Sequence, residues 1–164
     1  MAIHGITSRD GIGLTIFVPH GREQEAATFY RTAFGAISPR HWINPRTGDV
    51  TGIDIMVGRA TFTVCGANPK READPSLPGP CAASPLGRGS TVFQLCVDDV
   101  DAAVKLAVAA GATVRTAPED ADWGDRVATI VDPFGHIWAL ATINSDISAE
   151  DFNARGNIQL VEAA

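Results

Sequence analysis

Asp54 has the setting that most invites chemistry. A carboxylate between Ile53 and Ile55, inside a strand-like run, would be stripped of water. Its pKa would rise, which suits a general acid or base. The plainer role is an ion pair with Arg59 or Arg126. His41, in a loop beside Trp42, is the second candidate for proton transfer. His136 directly follows the turn Asp132-Pro133-Phe134-Gly135 and reads as a structural turn histidine; His20 falls in a loop and His4 in the solvated terminus. Asp125-Arg126 reads as an ion pair that fixes its loop. The cysteines Cys65, Cys81 and Cys96 are odd in number, widely spaced and without C-x-x-C, so they give neither a complete disulfide framework nor a zinc signature. Cys65 and Cys96 fall in apolar strands, which favours neutral thiols over nucleophiles. No Gly-rich phosphate loop, Ser-His-Asp order or H-E-x-x-H occurs.

The elements that must position these groups come in a repeating order. Leu14–Val18 alternates and is β-branched or aromatic, a strand signal. From Arg22 to Phe34 the apolar residues Ala26, Phe29, Tyr30, Ala33 and Phe34 form a helical stripe, stopped by Gly35. A turn-rich segment runs through Asn44–Gly48, and Gly52–Val57 and Ala60–Cys65 then alternate around Gly58-Arg59 as a hairpin. After position 66 the order returns. Val92–Val97 is a strand; Asp98 or Asp99 caps a helix with the stripe Val100, Ala103, Val104 and Ala107; Gly111 stops it. Val127–Val131 and His136–Thr142 form a second hairpin around the Asp-Pro-Phe-Gly turn, where Pro133 presets φ and Gly135 supplies the positive φ that closes it. The chain therefore divides into a lead at 1–11, a β-α-β-β-β module at 12–66, a connector at 67–89, a second module at 90–143 and a tail at 144–164. Five prolines crowd into the connector, which suits a linker or an arm over the surface. In the tail, Ser148–Asp151 can cap one short helix, with Ile158, Leu160 and Val161 beyond it.

With 164 residues and 45% hydrophobic content, the chain can bury a core without disulfide staples. Its net charge of -6, with Arg and Lys scattered singly, disfavours a nucleic-acid partner. The first residues lack a signal-peptide pattern, and no run is long and apolar enough to span a bilayer, so the sequence predicts a cytoplasmic protein with no membrane partner.

The helix end Phe29-Tyr30 through Ala33-Phe34-Gly35-Ala36, the segment Val97-Asp98-Asp99-Val100-Asp101, Gly124-Asp125-Arg126 and Asp132-Pro133-Phe134-Gly135-His136-x-Trp138 together resemble the vicinal oxygen chelate superfamily. Within it, the chain is similar to the glyoxalase/bleomycin resistance proteins of the PhnB-like branch. The resemblance implies an α+β fold in which two βαβββ modules form a curled mixed sheet around a cup, with helices outside, commonly as a homodimer. Function stays open between enzymes and non-catalytic binding proteins.

Family enzymes hold a divalent metal with cup-facing side chains from the first and last strand of each module. Alternation puts Leu14, Ile16, Val18, Phe62 and Val64 toward the helices and Thr15, Phe17, Thr61, Thr63 and Cys65 in the cup. In the second module Phe93, Leu95, Val97, Trp138 and Leu140 face the helix; Val92, Gln94, Cys96, Ile137, Ala139 and Ala141 face the cup. The positions matching the ligand motif are Thr15, Thr63, Val92 and Ala139, and none is a strong ligand. The expectation is a cup without metal or other cofactor, lined by Thr15, Phe17, Met56, Thr63, Gln94 and Ala139, with Trp42 and Trp123 on loops where they can stack on a flat ligand. Two readings follow: a protein that binds a small hydrophobic or aromatic molecule, and a glyoxalase-, lyase- or isomerase-type enzyme that uses Asp54, His41 or a metal.

Overall fold

The computed structural model describes residues 12–74, 76–144, 147–155 and 161. In chain order they form β1 (Thr15–Val18), α1 (Glu23–Phe34), β2 (Ile37–Ile43), β3 (Val50–Val57), β4 (Ala60–Gly66), α2 (Pro69–Ala73), β5 (Val92–Cys96), α3 (Val100–Ala109), β6 (Thr113–Asp120), β7 (Arg126–Val131), β8 (Ile137–Thr142) and α4 (Ala149–Arg155). Two four-stranded mixed sheets result, ordered β1-β4-β3-β2 and β5-β8-β7-β6, each with one parallel pair, β1 with β4 and β5 with β8. The α+β architecture of two βαβββ modules is therefore present.

Two strands were hidden in the sequence for the same reason. β2 and β6 are the outer strands of their sheets and carry Pro39 and Pro118. In each, the pairing slips across the proline, between Ile37 and Arg40 and between Thr116 and Glu119. Proline cannot donate to a ladder, so it is tolerated at an edge or bulge and masks the strand pattern. His41 and Trp42 consequently lie on a strand, not in a loop.

Helix ends follow their residue types. Asp99, rather than Asp98, caps α3 by accepting from the Ala102 N–H at 3.0 Å, while Thr142 Oγ1 accepts from Val100 N–H at 2.9 Å. The turn at Asp132 closes with Gly135 at φ 96°, and the Gly135 N–H donates to the Asp132 carbonyl at 3.0 Å. No side chain would fit there: a Cβ on Gly135 would lie 2.1 Å from the Ser84 carbonyl oxygen. The connector is thus an arm laid against the second hairpin. It contains the short α2, whose Asn68 cap accepts from Lys70 N–H, and its Ala83 N–H reaches the Phe17 carbonyl on the free edge of β1.

The sequence stripes meet in one core. Tyr30 of α1 stands 5.5 Å from both Phe62 of β4 and Trp138 of β8, ring centre to ring centre, and Phe62 and Trp138 are 6.0 Å apart. Helices α1 and α3 pack on one another in the same core. Each helix lies on the side of its sheet opposite the cup face. Because the helix sides of both sheets close on a shared core, the two cup faces point out of it and are not shared within one chain. In the tail α4 forms as expected, Val161 is exposed, and Ile158 and Leu160 lie outside the described residues.

Candidate functional site

Strand register arranges the cup face of the first sheet in rows. One row reads Thr15, Thr63, Asp54, Arg40; the next reads Phe17, Cys65, Gly52, Trp42; Thr61 and Met56 pair in a third. The alternation expected for β1 and β4 holds: Ile16, Val18, Phe62 and Val64 are buried against the helices, although Leu14, just before β1, is exposed.

Asp54 is fully buried, yet it lies on the cup side. Neighbouring rows seal it. Its Oδ2 stands 2.6 Å from Arg40 Nε in an ion pair, though without the alignment of a hydrogen bond; its Oδ1 accepts from Trp42 Nε1 at 2.9 Å and Thr63 Oγ1 at 3.0 Å. The expected partners Arg59 and Arg126 are therefore replaced by Arg40, because β2 brings residue 40 directly opposite residue 54. Arg126 instead pairs with Asp101 and Asp120. The Arg40 guanidinium also lies over the Trp42 ring, 5.9 Å from its centre. A carboxylate gripped by a cation and two donors serves as an anchor that orients Trp42 and Thr63.

Gly52 gives this face its shape. Gly52 is buried, and a Cβ there would lie 3.1 Å from Cys65 Sγ and 3.4 Å from the Trp42 ring and Thr63 Cγ2, so the glycine lets thiol and indole close over the strand. Burial pushes the Cys65 thiol pKa up, reinforced by nearby Glu23 and Asp54, and so keeps it neutral. The row ends in Phe17 on one side and the indole on the other, with hydroxyls of Thr15 and Thr63 in the adjacent row.

The second sheet presents a plainer face. Gln94, Ala139 and Thr129 share one row, and Cys96, Ala141 and Val127 another. Counted from Phe62 and Trp138, which both pack on Tyr30, Ala139 stands where Thr63 stands in the first sheet, and Thr129 where Asp54 stands. The β1 residue Thr15 corresponds to Gln94, not to Val92, which pairs one step away with Ile137. The ligand positions of the fold thus hold Thr15, Thr63, Gln94 and Ala139: two hydroxyls, an amide and a methyl, a donor set that does not fit a divalent cation. Val92, Gln94 and Cys96 are exposed on this face, and Val92 keeps 52% of its surface.

Other predicted residues fall elsewhere. His41 pairs with Ile53, so it lies on the opposite side of the sheet from Asp54, and the two candidate acid/base groups are not brought together. Trp123 is on a turn but engaged: its ring packs 6.2 Å from Phe152 of α4 and its Nε1 donates to Asp125 at 3.2 Å. Asp125 also accepts from Asn144 N–H, so it fixes its loop without Arg126. Met56 is half-buried in the cup row beside Thr61.

Sequence reasoning missed the role of Asp132 beyond its turn. Its Oδ1 accepts from the backbone N–H groups of Phe134 and His136, both at 2.9 Å, and its Oδ2 accepts from Tyr30 Oη at 2.7 Å, Trp138 Nε1 at 3.1 Å and His136 Nδ1 at 3.1 Å. Burial acts to raise its pKa, but the His136 and Tyr30 contacts outweigh that and hold it below the usual carboxylate value. The same arrangement drives the Tyr30 phenol well above its own, by burial first and by the Asp132 charge second. Arg40 and Gly52 were also missed; the alternation Arg40-His41-Trp42 was the available signal.

Residues 14–140 match the family model of the Glyoxalase/Bleomycin resistance protein/Dioxygenase superfamily. The chain belongs to this superfamily. It is 34% identical over 142 residues to an uncharacterized protein of Mycobacterium bovis, covering 83% of this chain and 88% of that one. The structure of a gene product of Arabidopsis thaliana superposes with a TM-score of 0.60 at 27% identity, over 82% of this chain and 99% of that one. A glyoxalase/bleomycin resistance protein/dioxygenase family enzyme from Burkholderia phytofirmans shares the fold at a TM-score of 0.57 and 19% identity, over 79% and 95% of the two chains. Superfamily membership accounts for the paired modules. Among the described residues no three His, Cys, Asp or Glu side chains converge, and no helix is long and apolar enough to cross a membrane.

Proposed function

We propose that this protein is a cytoplasmic, PhnB-like member of the superfamily that binds a small hydrophobic or aromatic molecule without a metal. Its cups would be built between two copies of the chain, each from the first sheet of one copy and the second sheet of the other. The observation that carries this reading is the cup-side row Phe17, Cys65, Gly52, Trp42, whose indole is held in place by Asp54. A mostly apolar surface edged by hydroxyls suits a flat organic ligand. The dimer is supported by the outward-pointing cup faces, since exposed Val92, Gln94 and Cys96 leave the second face uncovered in a single chain. The dimer closes by two-fold symmetry and gives two equal cups. Asp54 serves the binding reading better than the enzymatic one, because its oxygens are already engaged and His41 is on the other side of the sheet.

Complementation tests the reading. Gly52→Leu displaces Trp42 and Cys65 from their row and Ala139→Trp blocks the opposing face, so a flat aromatic compound that quenches the tryptophan fluorescence of the parent should not quench that of either variant alone. Refolding the two variants together should restore quenching, because one of the two cups in a mixed dimer is then built from unblocked sheets. Absence of rescue, or a monomer by light scattering at micromolar concentration, removes the shared-cup proposal. A stoichiometric divalent metal in protein purified without chelator removes its metal-free part.

A further inference from the structure

A second cavity lies wholly within one copy. It occupies about 440 Å³ at the seam between β1, the connector arm, β5 and the Asp132 turn. Phe17 and Phe93 supply apolar walls, Arg88 and the hydroxyls of Ser90 and Thr91 supply polar ones, and His136 lines the same space. Its volume suits a compact organic molecule.

Two observations point to a ligand. His136 keeps only 8% of its side-chain surface, and its Nδ1 is held by the buried Asp132 carboxylate. An ionised carboxylate only accepts, so Nδ1 carries a proton, and Nε2 offers a lone pair whenever the ring holds that proton alone. Among the described residues no hydrogen bond reaches Nε2. Asp54 Oδ2 is the one fully sealed side-chain polar atom without a hydrogen bond among the described residues, so Nε2 opens onto the cavity that His136 lines. Among the described residues Arg88 has neither an ion pair nor a hydrogen bond, and its planar fork is suited to a carboxylate.

We propose that this seam cavity binds a small hydroxylated aromatic acid. Arg88 takes the carboxylate, His136 Nε2 accepts from the ring hydroxyl, and the ring lies against Phe17 and Phe93. The site needs no second copy and does not depend on the cup reading, although Thr15 and Phe17 border both.

The probe is 4-hydroxybenzoate, titrated into the full chain by calorimetry, with the His136 side-chain ¹⁵N signals followed in parallel. Saturable binding is expected, with movement of the Nε2 resonance and weaker binding of benzoate. Arg88→Gln, an exposed substitution, should weaken binding about tenfold or more, the effect of losing one charge-assisted contact. Gly52→Leu should leave it unchanged. Equal affinity in Arg88→Gln, an unmoved Nε2 signal or no saturable binding overturns the proposal. Binding lost in Gly52→Leu but kept in Arg88→Gln places the acid in the cup, which ends this inference and leaves the cup reading standing.

Discussion

The two modules share a strand order and a helix position, yet they invest their buried carboxylate differently. In the first, Asp54 sits on the cup side and organises Arg40, Trp42 and Thr63. In the second, Thr129 takes that place, and the carboxylate is Asp132, in the turn, gathering Tyr30, Trp138 and His136 on the core side. One carboxylate shapes the cup-side surface and the other ties the halves together, since Tyr30 comes from α1 of the first module. A duplicated topology fixes where strands go and leaves each face free to specialise.

Removing the second carboxylate is the harshest way to break the comparison. Asp132→Ala leaves two backbone donors, a phenol, an indole and an imidazole without their acceptor. A loss of about 3–5 kcal/mol in urea unfolding is expected, the range for stripping one partner from a buried charged network. Asp54→Ala should cost less, about 2–3 kcal/mol, because the stranded Arg40 is half-exposed and can turn to water. Thr129→Ala, at the matching position of the other sheet, should change stability by under about 1 kcal/mol. Equal losses at positions 54 and 129 would erase the distinction between the two faces.

Acid sharpens the contrast further. Asp132 has its folded pKa depressed below the ordinary 3.8, so its contribution is fully present above that value and is lost as pH falls through the folded pKa. Unfolding midpoints measured across that acid range should fall less steeply in Asp132→Asn than in the parent. The smallest effect belongs to Trp123→Ala. That ring is 39% exposed and packs on α4, so the substitution should shift stability by about 1 kcal/mol or less and leave ligand quenching by Trp42 intact. Loss of that quenching would return Trp123 to the cup.

Much of the fold was legible because its signals are local. The stripe from Ala26 to Phe34, the Asp99 cap and the Asp-Pro-Phe-Gly turn each act within a few residues, and alternation alone assigned Thr15, Phe17, Thr63, Gln94 and Ala139 to the cup side. The strands β2 and β6 stayed hidden because Pro39 and Pro118 break the alternation that reveals a strand. With β2 unseen, Trp42 and His41 were read as loop residues and Arg40 could not be paired with Asp54.

By itself the sequence determined the repeat and the side taken by residues of the strands it revealed, since side-chain direction alternates along a strand wherever the strand is placed. Tertiary structure alone decided that Arg40 meets Asp54, that Asp132 reaches Tyr30 across 102 residues of chain, and that the two cup faces turn outward. Those outcomes depend on register across an edge strand and on which faces share a core, and neither is written in the spacing of any single segment.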